Sequence, residues 1–451
     1  MSERSDPQSP DALRSPTVDQ AGKRKWIYPD RRSGRNSKQR GWVALILIVI
    51  YLSAPFLKIR GLPLVRFDIA SGIVYALGQT FRFADGFYIV FVLLSAAMLL
   101  AWVTSAWGRI WCGYGCPQTV FVEWLIRPIE EWIEGTALRR RKNDSLPLTI
   151  ELFAKKCLKY LLFTGIILVI SNVLLAYFVE SKVLLSWIKS SPAEEPSAFA
   201  IMSAVFLALF FDLVWFREQF CAFLCPYARF QSVLISVATP TVAYDYRRGD
   251  PRGKRDVKGD CIDCGLCVRV CPTGIDIRQG LQLECIQCMR CSDACDTIMS
   301  SLKREPGLIR KASKMEIDQG PIKKKFRVRP LILFLMFLSS VIVLSSFVLS
   351  RDALKVTMLR QAKSTFTVMD DGRIANYFSL RVVNQSRNEQ LVKVSTKSGA
   401  QIICSLSGEH ISSNQEVTGI LIVLTDRQHP LSEIAIDVDD GATLQLALLH
   451  P

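Results

Sequence analysis

The sequence predicts a multi-domain chain: an α-helical membrane domain of about five spans, a compact cysteine-rich insert, and a C-terminal all-β sandwich. Three observations carry this. Five apolar stretches, about 41–57, 87–107, 158–179, 198–216 and 331–349, approach the length a helix needs to cross a bilayer, roughly 20 residues. Eight of the fourteen cysteines fall within residues 261–295, in two copies of one pattern. Beyond residue 350 the composition turns to short β-forming runs separated by Asn, Ser, Gly and Asp. A chain of 451 residues, half of them apolar, has room for several such parts.

Taken in order, residues 1–40 are polar and basic and predict a disordered cytoplasmic tail with no signal peptide. A membrane domain follows over 41–240 with four of the spans, the first interrupted by Pro55. Within it, 62–84 is broken by Arg66, Asp68 and Arg82 and predicts an interfacial loop. The insert occupies 241–330, the fifth span 331–350 and the β-domain 351–451. Lys and Arg set the orientation. Ten fall in residues 1–41, and the 108–157 loop and the 217–330 region are also rich, whereas 180–197 has only Lys182 and Lys189. The N-terminus and the insert are therefore expected in the cytoplasm and the β-domain in the periplasm of a bacterial inner membrane. The +15 formal charge clusters beside apolar segments rather than along an aromatic-studded face, so topology explains it and nucleic-acid binding does not. All three histidines (His410, His429, His450) lie near the C-terminus, which excludes a bis-histidine haem in the membrane. Cys404 in a predicted strand reads as a core filler, and Cys157 receives no role.

The insert reads Cys261-x2-Cys264-x2-Cys267-x3-Cys271-Pro272, then Cys285-x2-Cys288-x2-Cys291-x3-Cys295. Three closely spaced thiolates wrap three corners of an iron–sulfur cube, and the fourth cysteine of each run ligates the other cube. Cys261, Cys264, Cys267 and Cys295 are thus expected to hold one [4Fe–4S] cluster, and Cys285, Cys288, Cys291 and Cys271 a second. Zinc sites use paired knuckles rather than triple runs, and disulfides need an oxidising compartment. Asp296 stands where the first run has Pro272, which alters a turn but removes no ligand.

A second repeat closes two of the spans: Arg109-Ile-Trp-Cys112-Gly-Tyr-Gly-Cys116-Pro117 and Arg217-Glu-Gln-Phe-Cys221-Ala-Phe-Leu-Cys225-Pro226. If the helix continues, each cysteine pair shares one face. If proline opens a new helix, Cys116 and Cys225 sit at N-termini, where the dipole favours thiolate. Packing the second and fourth spans together would bring up to four soft sulfurs to one site, a donor set that selects Cu(I), zinc or iron–sulfur over hard cations. A redox-active metal is the economical reading beside iron–sulfur clusters. Glu123 and Asp212 lie nearby, more simply solvated than functional, and Met98 and Met202 read as core.

With both repeats in view, the chain resembles the CcoG/FixG/RdxA family, accessory proteins of cbb3-type cytochrome c oxidase, from about Lys23 to the C-terminus. Trp111-Cys-Gly-Tyr-Gly-Cys-Pro-Gln-Thr-Val, Cys225-Pro-Tyr-Ala-Arg-Phe-Gln, Tyr244-Asp-Tyr-Arg-Arg-Gly-Asp-Pro-Arg-Gly and Cys271-Pro-Thr-Gly-Ile-Asp-Ile-Arg carry the likeness, and Asp371-Gly-Arg-Ile-Ala-Asn-Tyr resembles the start of the family's immunoglobulin-like domain. The resemblance implies a 2[4Fe–4S] bacterial-type ferredoxin insert and an inner-membrane reductase of Cu(II) to Cu(I). Its copper cysteines would be Cys112, Cys116, Cys221 and Cys225. Implied partners are oxidase assembly factors or copper chaperones and a cytosolic electron donor, with homo-oligomers possible. Two rivals are a polyferredoxin-type carrier subunit, like those of nitrate or nitrous oxide reductase systems, and a scaffold whose clusters are structural. The β-domain favours the first reading.

Overall fold

The computed structural model describes residues 17–18, 21–59, 61–82, 86–253, 258–320, 327–350, 354–361, 366–369, 373–385, 388–396, 400–412, 415–426, 433–438 and 442–448. The chain divides into two compact units, one ending at Ile342 and the other beginning at Val343.

In the first unit, helix α1 spans Arg35–Ser53. It is followed by a small antiparallel sheet of β1 (Val65–Asp68), β2 (Ile73–Ala76) and β3 (Gln79–Arg82). This corrects the expected interfacial loop: Arg66, Asp68 and Arg82 interrupt apolarity but leave an alternating Val/Phe/Ile/Tyr pattern that strands accept, and the register pairs Phe67 with Val74 and Val74 with Phe81. Then come α2 (Gly86–Trp107), α3 (Ile110–Tyr114), α4 (Pro117–Phe121), which runs through a π-helical turn into α5 (Arg127–Glu134), and α6 (Ala137–Ser145). Next are α7 (Ile150–Ala176), α8 (Ser181–Lys189), α9 (Pro196–Phe210, continued by a π-helical turn to Phe216) and α10 (Pro226–Leu234).

Among the described residues, four helices rather than five are long and apolar enough to cross a membrane: Gly86–Trp107, Ile150–Ala176, Pro196–Phe216 and Val328–Leu349. The shortfall is α1. Its first turns carry Arg35, Lys38 and Arg40, so the apolar part runs only from Gly41 to Ser53, short of the roughly 20 residues a span requires. The expected disordered tail is likewise shortened: Asp30 donates its backbone N–H to the Arg269 carbonyl at 2.9 Å, and Lys25 pairs with Thr17 at 2.8 Å. Residues 1–16 lie outside the described residues.

The helices pack through α7. Its Phe163, Ile167 and Ile170, spaced to share one face, are buried against Val122, Ile126, Leu213 and Val214. The α4–α5 and α9 segments are thereby held side by side, and each carries a π-helical turn just there. The last helix of the unit, α13 (Val328–Leu349), lies along α2: the Ser95 and Ser340 hydroxyls meet at 2.9 Å, and Trp102 stacks with Phe337 and packs at a tilt on Phe334. Small polar pairs of this kind let apolar helices approach where no hydrophobic force separates helix from lipid.

The insert lies between α10 and α13. Strand β4 (Thr241–Tyr244) pairs with β5 (Ile309–Ala312), and two helices, α11 (Leu266–Arg269) and α12 (Arg290–Ser301), each follow one cysteine loop. Its core joins Val242, Ile275, Ile277, Met299, Leu308 and Ile309 to the cysteines themselves.

The second unit is all β. Strands β6 (Leu354–Arg360), β7 (Phe366–Val368), β8 (Arg373–Asn384), β9 (Val394–Thr396), β10 (Gln401–Cys404), β11 (Glu416–Asp426), β12 (Glu433–Val438) and β13 (Ala442–Ala447) form two sheets, ordered β10-β11-β8-β6 with β7 on β8, and β9-β12-β13. Period-2 alternation buries Phe378, Leu380 and Val382 of β8 with Leu421 and Val423 of β11. Each such fully buried side chain contributes about 1.5–3 kcal/mol. Cys404 packs against this core, as a filler should.

Candidate iron–sulfur and thiol site

The two cysteine runs of the insert repeat one backbone path. Asp263 and Gln287, before the second cysteine of each run, have φ of 55°, and the residues after it, Gly265 and Met289, have φ of 65° and 60°. These left-handed turns curl each loop round a common centre, at about 1–2 kcal/mol for each residue with a Cβ. Cys261, Cys264, Cys267 and Cys295 line one cavity with Tyr244 and Leu308. Cys271, Cys285, Cys288 and Cys291 line a second with Val242 and Ile275, and Cys267 reaches it too. The fourth cysteine of each run therefore stands with the other run's three, as the spacing predicts.

The donor chemistry fits a cluster. Burial pushes the thiol of Cys267 up to about 11 and those of Cys285 and Cys295 up to about 12, and it raises Cys271 and Cys291 as well. Buried thiolates without a cationic partner are costly, and a bound metal core deprotonates its thiols outright. These largely apolar cavities, each lined by at least four cysteines, suit iron bound by thiolate.

The membrane-edge cysteines adopt the second of the two geometries. Each proline opens a helix: Cys116 caps α4 at Pro117, and Cys225 caps α10 at Pro226. Cys112 lies in α3 and Cys221 in the π-helical turn Phe220–Leu224. All four sulfur-bearing residues line one cavity, together with Arg109, Glu218 and Tyr227. The sites are tied across the repeat: Cys112 Sγ donates to Gln231 Oε1 at 3.4 Å, Arg109 donates to the Ala228 carbonyl, and Tyr227 shares a 2.8 Å hydrogen bond with Thr104. The expected dipole activation is outweighed. Burial raises Cys116 even though the α4 N–H groups of Thr119 and Gln118 point at it, and burial lifts Cys112 to about 11 and Cys221 higher still. Among the described residues no three His, Cys, Asp or Glu side chains gather into a cage for one metal ion; the four membrane-edge cysteines share the lining of one cavity.

This chamber adjoins the second cysteine loop, whose Leu283, Glu284 and Ile286 form part of its wall. Two glycines permit the approach. A Cβ on Gly113 would stand 2.5 Å from the Ile286 carbonyl, and one on Gly108, which has φ of +71°, would collide with the Gln287 amide.

Glu123 is neither a ligand nor solvated. It is 2% exposed and sits between Arg127 and Arg290, the latter at 2.7 Å. Burial alone would raise its carboxyl, but Arg127, then Arg290 and Arg40, hold it down at about 2. Arg127 also pairs with Glu218 and donates to the Pro272 carbonyl at 3.0 Å, directly after Cys271. Glu130 continues the lattice to Arg140 at 2.9 Å and Arg217 at 2.6 Å. Sequence reasoning passed over this lattice; the i,i+4 spacing of Glu123 and Arg127 was its only local signal. Asp212 accepts from Gln118 at 3.2 Å, outside both cysteine sets. Met202 packs in an apolar cluster with Leu175 and Leu184.

Apolar spans, paired cysteine loops and a β-domain together define a membrane iron–sulfur electron-transfer protein. Family models agree with each part: a "4Fe-4S dicluster domain" matches residues 216–314, a "4Fe-4S binding domain" 89–142, and an "IG-like fold at C-terminal of FixG" 344–446. The chain is 30% identical over 440 residues to the nitrogen fixation protein FixG of Rhizobium meliloti, covering 88% of this chain and 84% of that one. It is 32% identical over 397 residues to protein RdxA of Cereibacter sphaeroides (85% and 84% covered) and 30% over 438 residues to that organism's RdxB (91% of each). The chain belongs to the CcoG/FixG/RdxA family. No solved structure matches it.

Proposed function

We propose that this protein passes electrons from a cytosolic donor to Cu(II) at the membrane edge, releasing Cu(I) for the copper centre of a cbb3-type cytochrome c oxidase. The supporting observation is the thiol chamber itself: Cys112, Cys116, Cys221 and Cys225 border one cavity whose wall includes Ile286 of the second cysteine loop. In this reading Cys261, Cys264, Cys267 and Cys295 hold a first [4Fe–4S] cluster, and Cys271, Cys285, Cys288 and Cys291 a second. Bound clusters supply one-electron carriers over a wide range of potentials. Gly113 and Gly108 keep the second loop against the chamber, so the entry point for electrons is the first loop, farther along the chain of contacts. The chamber's soft sulfurs bind copper as substrate, favour Cu(I) over Cu(II), and leave an opening for its transfer to an assembly factor or copper chaperone.

The orientation of the reading follows from Lys and Arg: inner membrane, N-terminus and insert on the cytoplasmic side, β-domain in the periplasm. A periplasm-dependent reporter fused after residue 351 is expected to be active and one near residue 250 silent; the opposite pattern reverses the orientation. For the chemistry, anaerobically purified protein with Cys112, Cys116, Cys221 and Cys225 changed to Ser should keep its iron and lose Cu(II) reduction. Undiminished reduction would move copper elsewhere and leave a polyferredoxin-type carrier as the better description.

A further inference from the structure

Away from every cysteine discussed above, a cavity of about 680 Å³ opens beside the start of α1, a size typical of small-molecule sites. Its two ends differ. One end is basic, with Arg31, Arg32, Lys38 and Arg290; Glu131 lies 3.6 Å from Arg31 and Glu123 pairs with Arg290 at 2.7 Å, which leaves Arg32 and Lys38 in excess. The other end is apolar: Leu45 and Ile48 of α1 face Trp124 and Leu125.

Arg290 is the built element. It is 3% exposed, and only its Nη2 is engaged, with Glu123; Nε and Nη1 are buried without a hydrogen-bond acceptor. Buried donors in native proteins nearly always have a partner. Arg290 does not line either cysteine cavity of the insert or the thiol chamber, but it does line this one. From Lys38 to Ile48 the helix rises about 15 Å, which separates the cationic collar from the apolar floor by the depth of a lipid head group and the first part of a chain. Trp42, Leu45, Ile46 and Val49 are exposed on the same helix, so the floor opens onto an apolar outer face of α1.

We propose that this cavity binds an anionic phospholipid, with its phosphate on Arg290, Arg32 and Lys38 and an acyl chain laid along Leu45 and Ile48 against Trp124 and Leu125. A neutral quinone would leave Arg32 and Lys38 uncompensated, and a free phosphate would leave the apolar half unfilled. The site does not depend on the copper reading.

The test is a native mass-spectrometric titration of the detergent-solubilised, delipidated protein with its iron–sulfur clusters intact. Phosphatidylglycerol should bind more tightly than phosphatidylcholine. Arg32→Ala and Lys38→Ala, both at exposed positions that folding tolerates, should each weaken it about five-fold, and Leu45→Ser should weaken phosphatidylglycerol without affecting inorganic phosphate. Equal affinity for the two lipids, phosphatidylglycerol binding untouched by both basic substitutions, displacement of the lipid by millimolar inorganic phosphate alone, or a soluble quinone analogue binding in the lipid's place would each overturn it.

Discussion

The cavity of the second cysteine loop gathers four expected ligands with Cys267 at its edge, and the thiol chamber at the membrane edge gathers four cysteines, yet they are built by different rules. The first is made from a single short stretch plus Cys271. Left-handed turns at Gln287 and Met289 preset its curl, and Val242, Ile275 and Ile277 seal it. The chamber draws its cysteines from two segments more than a hundred residues apart, each broken by a proline, and its walls include Arg109, Glu218, Glu284 and Tyr227. Local curl with an apolar seal suits a cofactor that stays. Sulfurs contributed from a distance, with polar groups at the wall, suit a guest that comes and goes.

The largest test of that contrast is iron content. Cys285→Ser or Cys291→Ser should remove about half the iron and the matching visible absorbance, whereas Cys225→Ser should leave both intact; equal iron loss from the two sets would erase the distinction. Next in size is the lattice between the regions. Glu123→Ala leaves Arg290 buried without its anion, while Arg127 keeps Glu218, and breaking such a buried pair costs about 3–5 kcal/mol. Thermal unfolding should show a correspondingly lowered midpoint, and an unchanged one would mean that water replaces the carboxylate. The same residue sets an acid limb. Its folded carboxyl is held at about 2 against an ordinary 4.5, so its stabilisation is complete above pH 4.5 and is lost as pH falls toward 2. Glu123→Gln should flatten that part of the stability profile while the rest persists. The smallest effect is expected from Gly113→Ala. A methyl 2.5 Å from the Ile286 carbonyl must push the loop away, which on the proposed function slows Cu(II) reduction with iron content unchanged; full activity would show that the contact is dispensable.

Much of this was readable from residue order. The two-run cysteine pattern of the insert and the β character after residue 350 depend on nearby residues and are legible in spacing. The meeting of the two Cys-x3-Cys-Pro motifs instead needs the α2 and α9 ends packed together and was only a conditional expectation. What escaped were features set by tertiary neighbours. Glu123 looks like any surface acid until Arg290, from a distant segment, arrives beside it. The β1–β3 sheet was hidden because charges at Arg66, Asp68 and Arg82 broke the apolar count without breaking the alternation. The first span was overextended at its far end: the apolar count continues through Pro55 to residue 57, whereas the helix stops at Ser53. Thiol activation at Cys116 was misjudged because burial, invisible in sequence, outweighs the helix end.

The start of α1 has its own consequence. The carboxylate of Asp293 accepts from the backbone of Asn36 and Ser37 and from the Asn36 amide, the last across 257 positions, and it lies between Cys291 and Cys295. The free donors of a helix made early in synthesis are thus satisfied only by a residue made much later. Until the insert has folded, water must serve those groups, so this N-terminal corner is completed only with the insert although it is translated first. Biogenesis of this corner is thereby tied to completion of the cysteine loops.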